Sequence, residues 1–283
     1  MATAPAEAGS PPFATSDWRP PGRRCRLAWL AALLLAPCSA MGAHPLITDD
    51  TGTQGRLRYQ VEVNGAVGRD TARAAGVERQ EDLAETCFAF TIGLLDGLDA
   101  VVGVPWAWSS VRAGGALESS GNGVGDVRLE LKWRFLERAG FSLAVKPGLT
   151  LPTGDEGRGF GNGRVSYALT LIATQELGPV TLHVNGGYSR SEYARAEDRA
   201  ANRSDVWCAS AAATVGVVKG LRLAANLGVE SSGDRASATW PAFALAGIIW
   251  SVAPNLDLDA GVKAGLTGPE TDLTGLFGMA WRF

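Results

Sequence analysis

The sequence predicts an all-β protein, a transmembrane antiparallel up-and-down β-barrel of about twelve strands behind a cleaved signal peptide. Three observations carry that prediction. Apolar and polar residues alternate with a period of two along most of the chain. The connections alternate between short turns and long polar loops, and the last strand ends on an aromatic residue, Phe283.

The elements follow in order. Residues 1–18 are rich in Pro, Ala and Ser; Arg19, Arg23, Arg24 and Arg26 come next, and Leu27 to Ala36 is wholly apolar. That order is a secretory leader, and the apolar run is too short to span a bilayer as a helix. Small residues at Ala40, Gly42 and Ala43 place cleavage just before Ala43 or His44, so residues 1–43 are expected to be removed. Residues 44–54 then form a short periplasmic segment, and 55–283 form the barrel. Strands are expected near 55–64, 83–93, 98–108, 124–135, 141–151, 164–175, 179–190, 204–217, 221–231, 239–251, 256–266 and 273–283. Val127, Leu129, Leu131, Trp133 and Phe135, alternating with Arg128, Glu130, Lys132 and Arg134, are typical of them. So much strand suits a closed barrel, in which every backbone edge is paired. Long loops are expected at about 65–82, 109–123, 152–163, 190–203, 232–238 and 267–272, with turns of three or four residues such as Leu95-Asp96-Gly97 on the opposite rim.

Composition removes several function classes. The chain of 283 residues has a net charge of -3 and no dense basic cluster, which argues against a nucleic-acid partner, because phosphate binding needs a concentrated positive field. Two histidines leave little room for a metal site, four cysteines without a CxxC pair argue against a zinc ribbon, and no cofactor is expected. The loop Gly157-Arg158-Gly159-Phe160-Gly161-Asn162-Gly163 precedes a strand, whereas phosphate-cradling loops open a helix, so it is read as a surface loop.

In a membrane barrel the apolar face meets lipid and the polar face lines the lumen. The residues expected in the lumen are Arg58, Glu62, Arg128, Glu130, Lys132, Arg134, Lys146, His183, Arg222, Glu230, Asp257, Asp259 and Lys263. Lys132, Arg134 and Lys146 are expected to bias the interior towards anionic or phenolate-like solutes. Membrane girdles are expected from Trp133, Trp250, Trp281 and Phe283 by the short turns and from Trp106, Trp108, Trp207 and Trp240 by the long loops. The alternation Leu273, Gly275, Phe277, Met279, Trp281, Phe283 resembles the carboxy-terminal signal that bacterial barrel-assembly machinery reads.

The stretch from His44 to Gly55 (HPLITDDTGTQG) resembles the opening of a bacterial family of outer-membrane transporters named for the meta-pathway of phenol degradation. Gly123-Val124-Gly125-Asp126-Val127 with Leu129 to Arg134, Lys146 to Asp155 (KPGLTLPTGD), and Trp281-Arg282-Phe283 are similar to the same family. The resemblance implies an outer-membrane barrel associated with uptake of hydrophobic or aromatic compounds. The expected function is therefore a channel or transporter for small organic solutes, with outer-membrane lipid around it. Two other classes stand beside it: a structural or adhesive barrel, and an outer-membrane lipid hydrolase. The hydrolase would need a nucleophile and an orienting group beside His183, whose neighbours on the same strand face are Thr181 and Asn185; no catalytic residue is assigned.

Overall fold

The computed structural model of the protein describes residues 44–74 and 76–283; the expected leader, residues 1–43, lies outside them. Thirteen strands follow in chain order: β1 (Tyr59–Ala74), β2 (Val77–Leu95), β3 (Leu98–Ala113), β4 (Ala116–Val124), β5 (Val127–Arg138), β6 (Phe141–Leu151), β7 (Ser166–Leu177), β8 (Val180–Arg190), β9 (Asp205–Val218), β10 (Leu221–Glu230), β11 (Ala242–Ala253), β12 (Leu256–Gly265) and β13 (Leu273–Arg282). One short helix, α1 (Ala196–Ala201), lies in the connection between β8 and β9. β3 pairs with β5 through Leu98–Gly103 and with β4 through Trp106–Ala113, so β4 and β5 are one wall strand broken at Gly125-Asp126. The wall is thus a closed ring of twelve antiparallel strands, as expected from the sequence.

Closure is made where β1 meets β13, over the register from Gln60 opposite Arg282 to Arg69 opposite Leu273. Two further hydrogen bonds finish this seam, from Tyr59 N to Phe283 O and from Phe283 N to Tyr59 O, each 2.9 Å. The Tyr59 ring stacks between Phe90 and Phe283, at centroid distances of 5.9 and 5.6 Å.

Alternation turns the barrel inside out relative to a water-soluble one. On β5, Leu129, Leu131, Trp133 and Phe135 are exposed on the outer face, while Lys132 is 2% exposed on the inner face. A belt of exposed Leu, Val, Ile and aromatic side chains runs round the whole wall, far beyond the apolar patch a soluble protein tolerates. Its solvent is lipid. The girdle residues Trp106, Trp133, Trp207, Trp240, Trp250, Trp281 and Phe283 all present exposed rings, and Trp108 a half-buried one. No described helix is long and apolar enough to cross a membrane; the strands do so.

Two expected loops, 65–82 and 109–123, are instead extensions of hairpins. The β1–β2 ladder continues to Ala74 opposite Val77, and β3 pairs with β4 up to Ala113 opposite Ala116. Above the belt both faces meet water, so period-two patterning ends there although pairing goes on. Cross-strand charges take over: Asp82 accepts from Arg69 Nε at 2.7 Å and Arg112 Nη1 at 3.0 Å, and Arg73 meets Glu78 at 3.1 Å. The Arg69 guanidinium holds the Asp82 carboxyl below the usual carboxylate range.

A lumen closed by the amino-terminal strap

Residues 44–54, expected as a periplasmic lead-in, run inside the barrel. The strap reaches the wall at the short-turn rim, where Thr53 Oγ1 donates to Asp96 O at 2.7 Å and Gln54 N donates to Asp99 Oδ2 at 2.9 Å. Gly55 (φ 85°) and Leu57 (φ 57°) reverse the chain between lumen and wall, and Leu57 N is held on Gly93 O. Deeper in, the strap's backbone finds partners among short polar side chains that the strands point inward. Thr51 N donates to Thr174 Oγ1 and the Thr51 hydroxyl meets that of Ser142. Asn226 accepts from Ile47 N at 2.7 Å and Thr48 N at 3.0 Å, and its amide donates to Thr48 Oγ1 at 2.7 Å. Thr48 Oγ1 in turn donates to Ser210 Oγ at 2.8 Å. With its amide oxygen turned to Asp49 N, Asn185 brackets the Asp49 backbone at 2.6 and 3.0 Å. Buried polar groups need such partners, and inward Ser, Thr and Asn supply them.

Charge and apolar contact complete the seat. Asp49 Oδ1 lies 2.9 Å from Lys132 Nζ and its Oδ2 lies 2.8 Å from Lys146 Nζ, with all three side chains buried. Asp50 adds a contact to Lys132 at 3.5 Å, and Glu130 one to Lys146 at 3.5 Å. Leu46 packs with Ala212, Ala224, Phe243, Leu245 and Ile249. At the strap's leading end His44 Nδ1 meets Asp259 Oδ1 at 2.5 Å.

On the long-loop side the lumen opens into a cavity of about 310 Å³. Its wall includes Arg128 and Glu130 from β5, Thr150 from β6, Thr170 from β7, Cys208 from β9 and Glu230 from β10; Phe160, Asn162 and Ser191 of the connecting loops also border it. On β5, β8 and β9 the strap contacts Lys132, Asn185 and Ser210 sit one inward position nearer the short turns than the cavity residues Glu130, Gly187 and Cys208. The strap therefore lies beneath the cavity.

The loops over this cavity are tied together by side-chain bonds to backbone. Asp126 accepts from Gly154 N at 2.9 Å and Asn162 N at 2.8 Å, and Thr153 Oγ1 donates to Gly125 O at 3.2 Å. Arg195 donates to Glu156 O and Gly157 O, both at 3.0 Å, Arg199 to Tyr193 O at 2.7 Å, and Arg203 to Ser232 O at 2.9 Å.

The expected lumen residues separate into groups. Glu62, Lys132, Lys146 and His183 face inward and are buried, and His183 bonds Thr174 Oγ1 at 3.0 Å as part of the wall. Arg128, Glu130 and Glu230 border the outer cavity. Lys263 is paired with Glu270 at 2.6 Å, Arg134 with Glu137 at 3.2 Å, and Asp259 with His44. Arg222 and Arg282 converge on Asp257 near the short-turn rim, at 3.4 and 3.0 Å. Arg58 sits exposed before β1, outside the run of inward positions, because the chain is still turning out of the strap there. The expected bias from Lys132 and Lys146 needs correction: Asp49 takes both ammonium groups, so neither offers a free charge to a solute. Sequence reasoning missed Asp49, Thr48, Thr51, Asn226 and Ser210. One signal pointed to them: β11 is apolar on both faces from Ala242 to Trp250, with Phe243, Leu245 and Ile249 turned inward, which a wetted lumen does not explain.

A profile of the family described as "Putative MetA-pathway of phenol degradation" matches residues 47–283. The chain belongs to that family. The match begins inside the strap and runs to Phe283. Among solved structures, the chain is similar to the COG4313 outer membrane channel from Pseudomonas putida F1, with 18% identity and a TM-score of 0.65 over 83% of this chain and 98% of that one. It is also similar to the NanC porin, at 12% identity and a TM-score of 0.53 over 78% of this chain and 98% of that one. None of the curated proteins compared with it matches in sequence. These likenesses establish the fold of an outer-membrane barrel, in keeping with the lipid-facing belt.

Proposed function

We propose that the barrel is an outer-membrane channel for small organic solutes, hydrophobic or aromatic ones above all. The observation that carries the reading is a preformed outer cavity separated from the short-turn mouth by a single strap of chain rather than by a filled core. About eight strands leave room for side chains only, and roughly sixteen leave an aqueous channel, so twelve suit a narrow passage. The family's name, and the likeness to a Pseudomonas putida protein described as an outer membrane channel, agree with such a role. No catalytic step belongs to this reading; His183 is a bonded wall residue. Liposomes holding the purified protein are expected to take up a small aromatic solute faster than a sugar of similar size. Uptake of both at the rate of protein-free liposomes overturns the reading and leaves a purely structural barrel.

We also propose that β13 together with the terminal Phe283 is what the barrel-assembly machinery reads. Deleting Phe283 removes both seam bonds to Tyr59 and the ring contacts to Tyr59 and Trp281. The outer-membrane amount of the truncated protein, measured by immunoblot of fractionated cells, is expected to fall several-fold, on the order of five-fold, since an unsealed edge is left exposed. Unchanged amounts defeat this assignment.

A further inference from the structure

We propose that Arg222, Asp257 and Arg282 form an anion subsite at the short-turn mouth of the lumen, built to take the carboxylate or phenolate of an organic monoanion; this rests on the channel reading above. Four other basic side chains of the interior are already paired. Lys132 and Lys146 share Asp49, Lys263 has Glu270 and Arg134 has Glu137. Here two guanidinium groups meet the carboxylate of Asp257, with the buried Glu62 level with it across β13, so what the place offers an anion is a concentration of N–H donors rather than a surplus of charge. The Arg222 and Arg282 side chains remain 39% and 36% exposed, while that of Asp257 is 10% exposed and also accepts from Ser251 Oγ at 2.5 Å.

The geometry is fixed from the wall. Arg222 comes from β10, Ser251 from β11, Asp257 from β12 and Arg282 from β13, so four consecutive strands bring the group together. Each guanidinium touches Asp257 through one nitrogen, Nη2, at 3.4 Å for Arg222 and 3.0 Å for Arg282. An arginine carries five N–H donors in a rigid fork, so most donors of both remain available to a planar anion. Asp257 acts as the post that aims two arginines across β11 at one spot, and their remaining N–H donors give that spot its preference for an anion. The subsite also lies beneath the strap's leading end, because Asp259, which holds His44, is the next inward residue on β12. A bound anion would therefore wait one position below the strap.

The test compares benzoate with benzyl alcohol, which share size and ring but differ in charge. Liposome flux of both is measured for the full-length wild type, for Arg222→Gln with Arg282→Gln, and for Arg222→Lys with Arg282→Lys; unheated gel mobility checks that each barrel is closed. The Gln pair is expected to lower the benzoate to benzyl alcohol ratio about five-fold with alcohol flux unchanged, and the Lys pair to keep most of the ratio. Isothermal titration with benzoate is expected to give a signal that the Gln pair loses. A closed Gln barrel with the wild-type flux ratio and the wild-type benzoate signal overturns the subsite alone. Wild type that passes neither solute overturns the channel reading and the subsite with it.

Discussion

A chain lacking residues 44–54 is expected to conduct on the order of ten-fold more current per channel in a planar bilayer than the full chain, because the section of a twelve-stranded barrel is then left open. The strap's contacts reach β3 and every strand from β5 to β12, through Asp99, Lys132, Lys146, Thr174, Asn185, Ser210, Asn226, Leu245 and Asp259. None of them belongs to the ladders that close the wall, so their loss empties the lumen without opening the ring. The shortened protein is expected to keep the faster gel mobility of a closed barrel before heating. Equal currents from equally folded full and shortened chains show that the strap is no barrier.

Asp49→Ala is expected to produce most of the same increase by itself. Removing the carboxylate leaves Lys132 without its principal buried partner and Lys146 with Glu130 alone, at 3.5 Å. Breaking a buried ion pair on one side costs roughly 3–5 kcal/mol. The strap can avoid that cost by leaving, which lets water reach both ammonium groups. The penalty is thus read as current and as protease sensitivity near residue 49, while the barrel's unfolding temperature stays nearly constant. Replacing all three charges together, Asp49→Leu with Lys132→Met and Lys146→Met, is expected to return the strap to its seat and the current towards wild type, since apolar groups of similar volume substitute well for a buried ion set. A triple variant as leaky as Asp49→Ala counts against the charge argument and in favour of a simple loss of packing.

The wall was legible in the sequence because lipid on one side and a polar interior on the other impose a period of two. Where that contrast ends, legibility ends. Arg69 to Arg73 face water on both sides and read as loop, yet their ladder continues on cross-strand charges. Lys132 and Lys146 are buried on the inward face, but their partner lies 83 and 97 positions away in sequence in a segment without periodicity. Asp126 and Gly154 stood in two separate stretches that carried the family resemblance; only the fold shows that one accepts from the other.

The strap also sets an order of events. Its bonds join residues as far apart as Ile47 and Asn226, 179 positions, and His44 and Asp259, 215 positions. Contacts of such separation must wait until the strands that present them have been brought together. The strap, which precedes every wall strand in the chain, is therefore expected to seat last, after the ring has shut, so that assembly passes through a stage in which the ring is complete and the hole through it is still open. A dye trapped in vesicles during refolding is expected to escape in a brief burst that stops as the strap docks, and a chain without residues 44–54 is expected to leak without stopping.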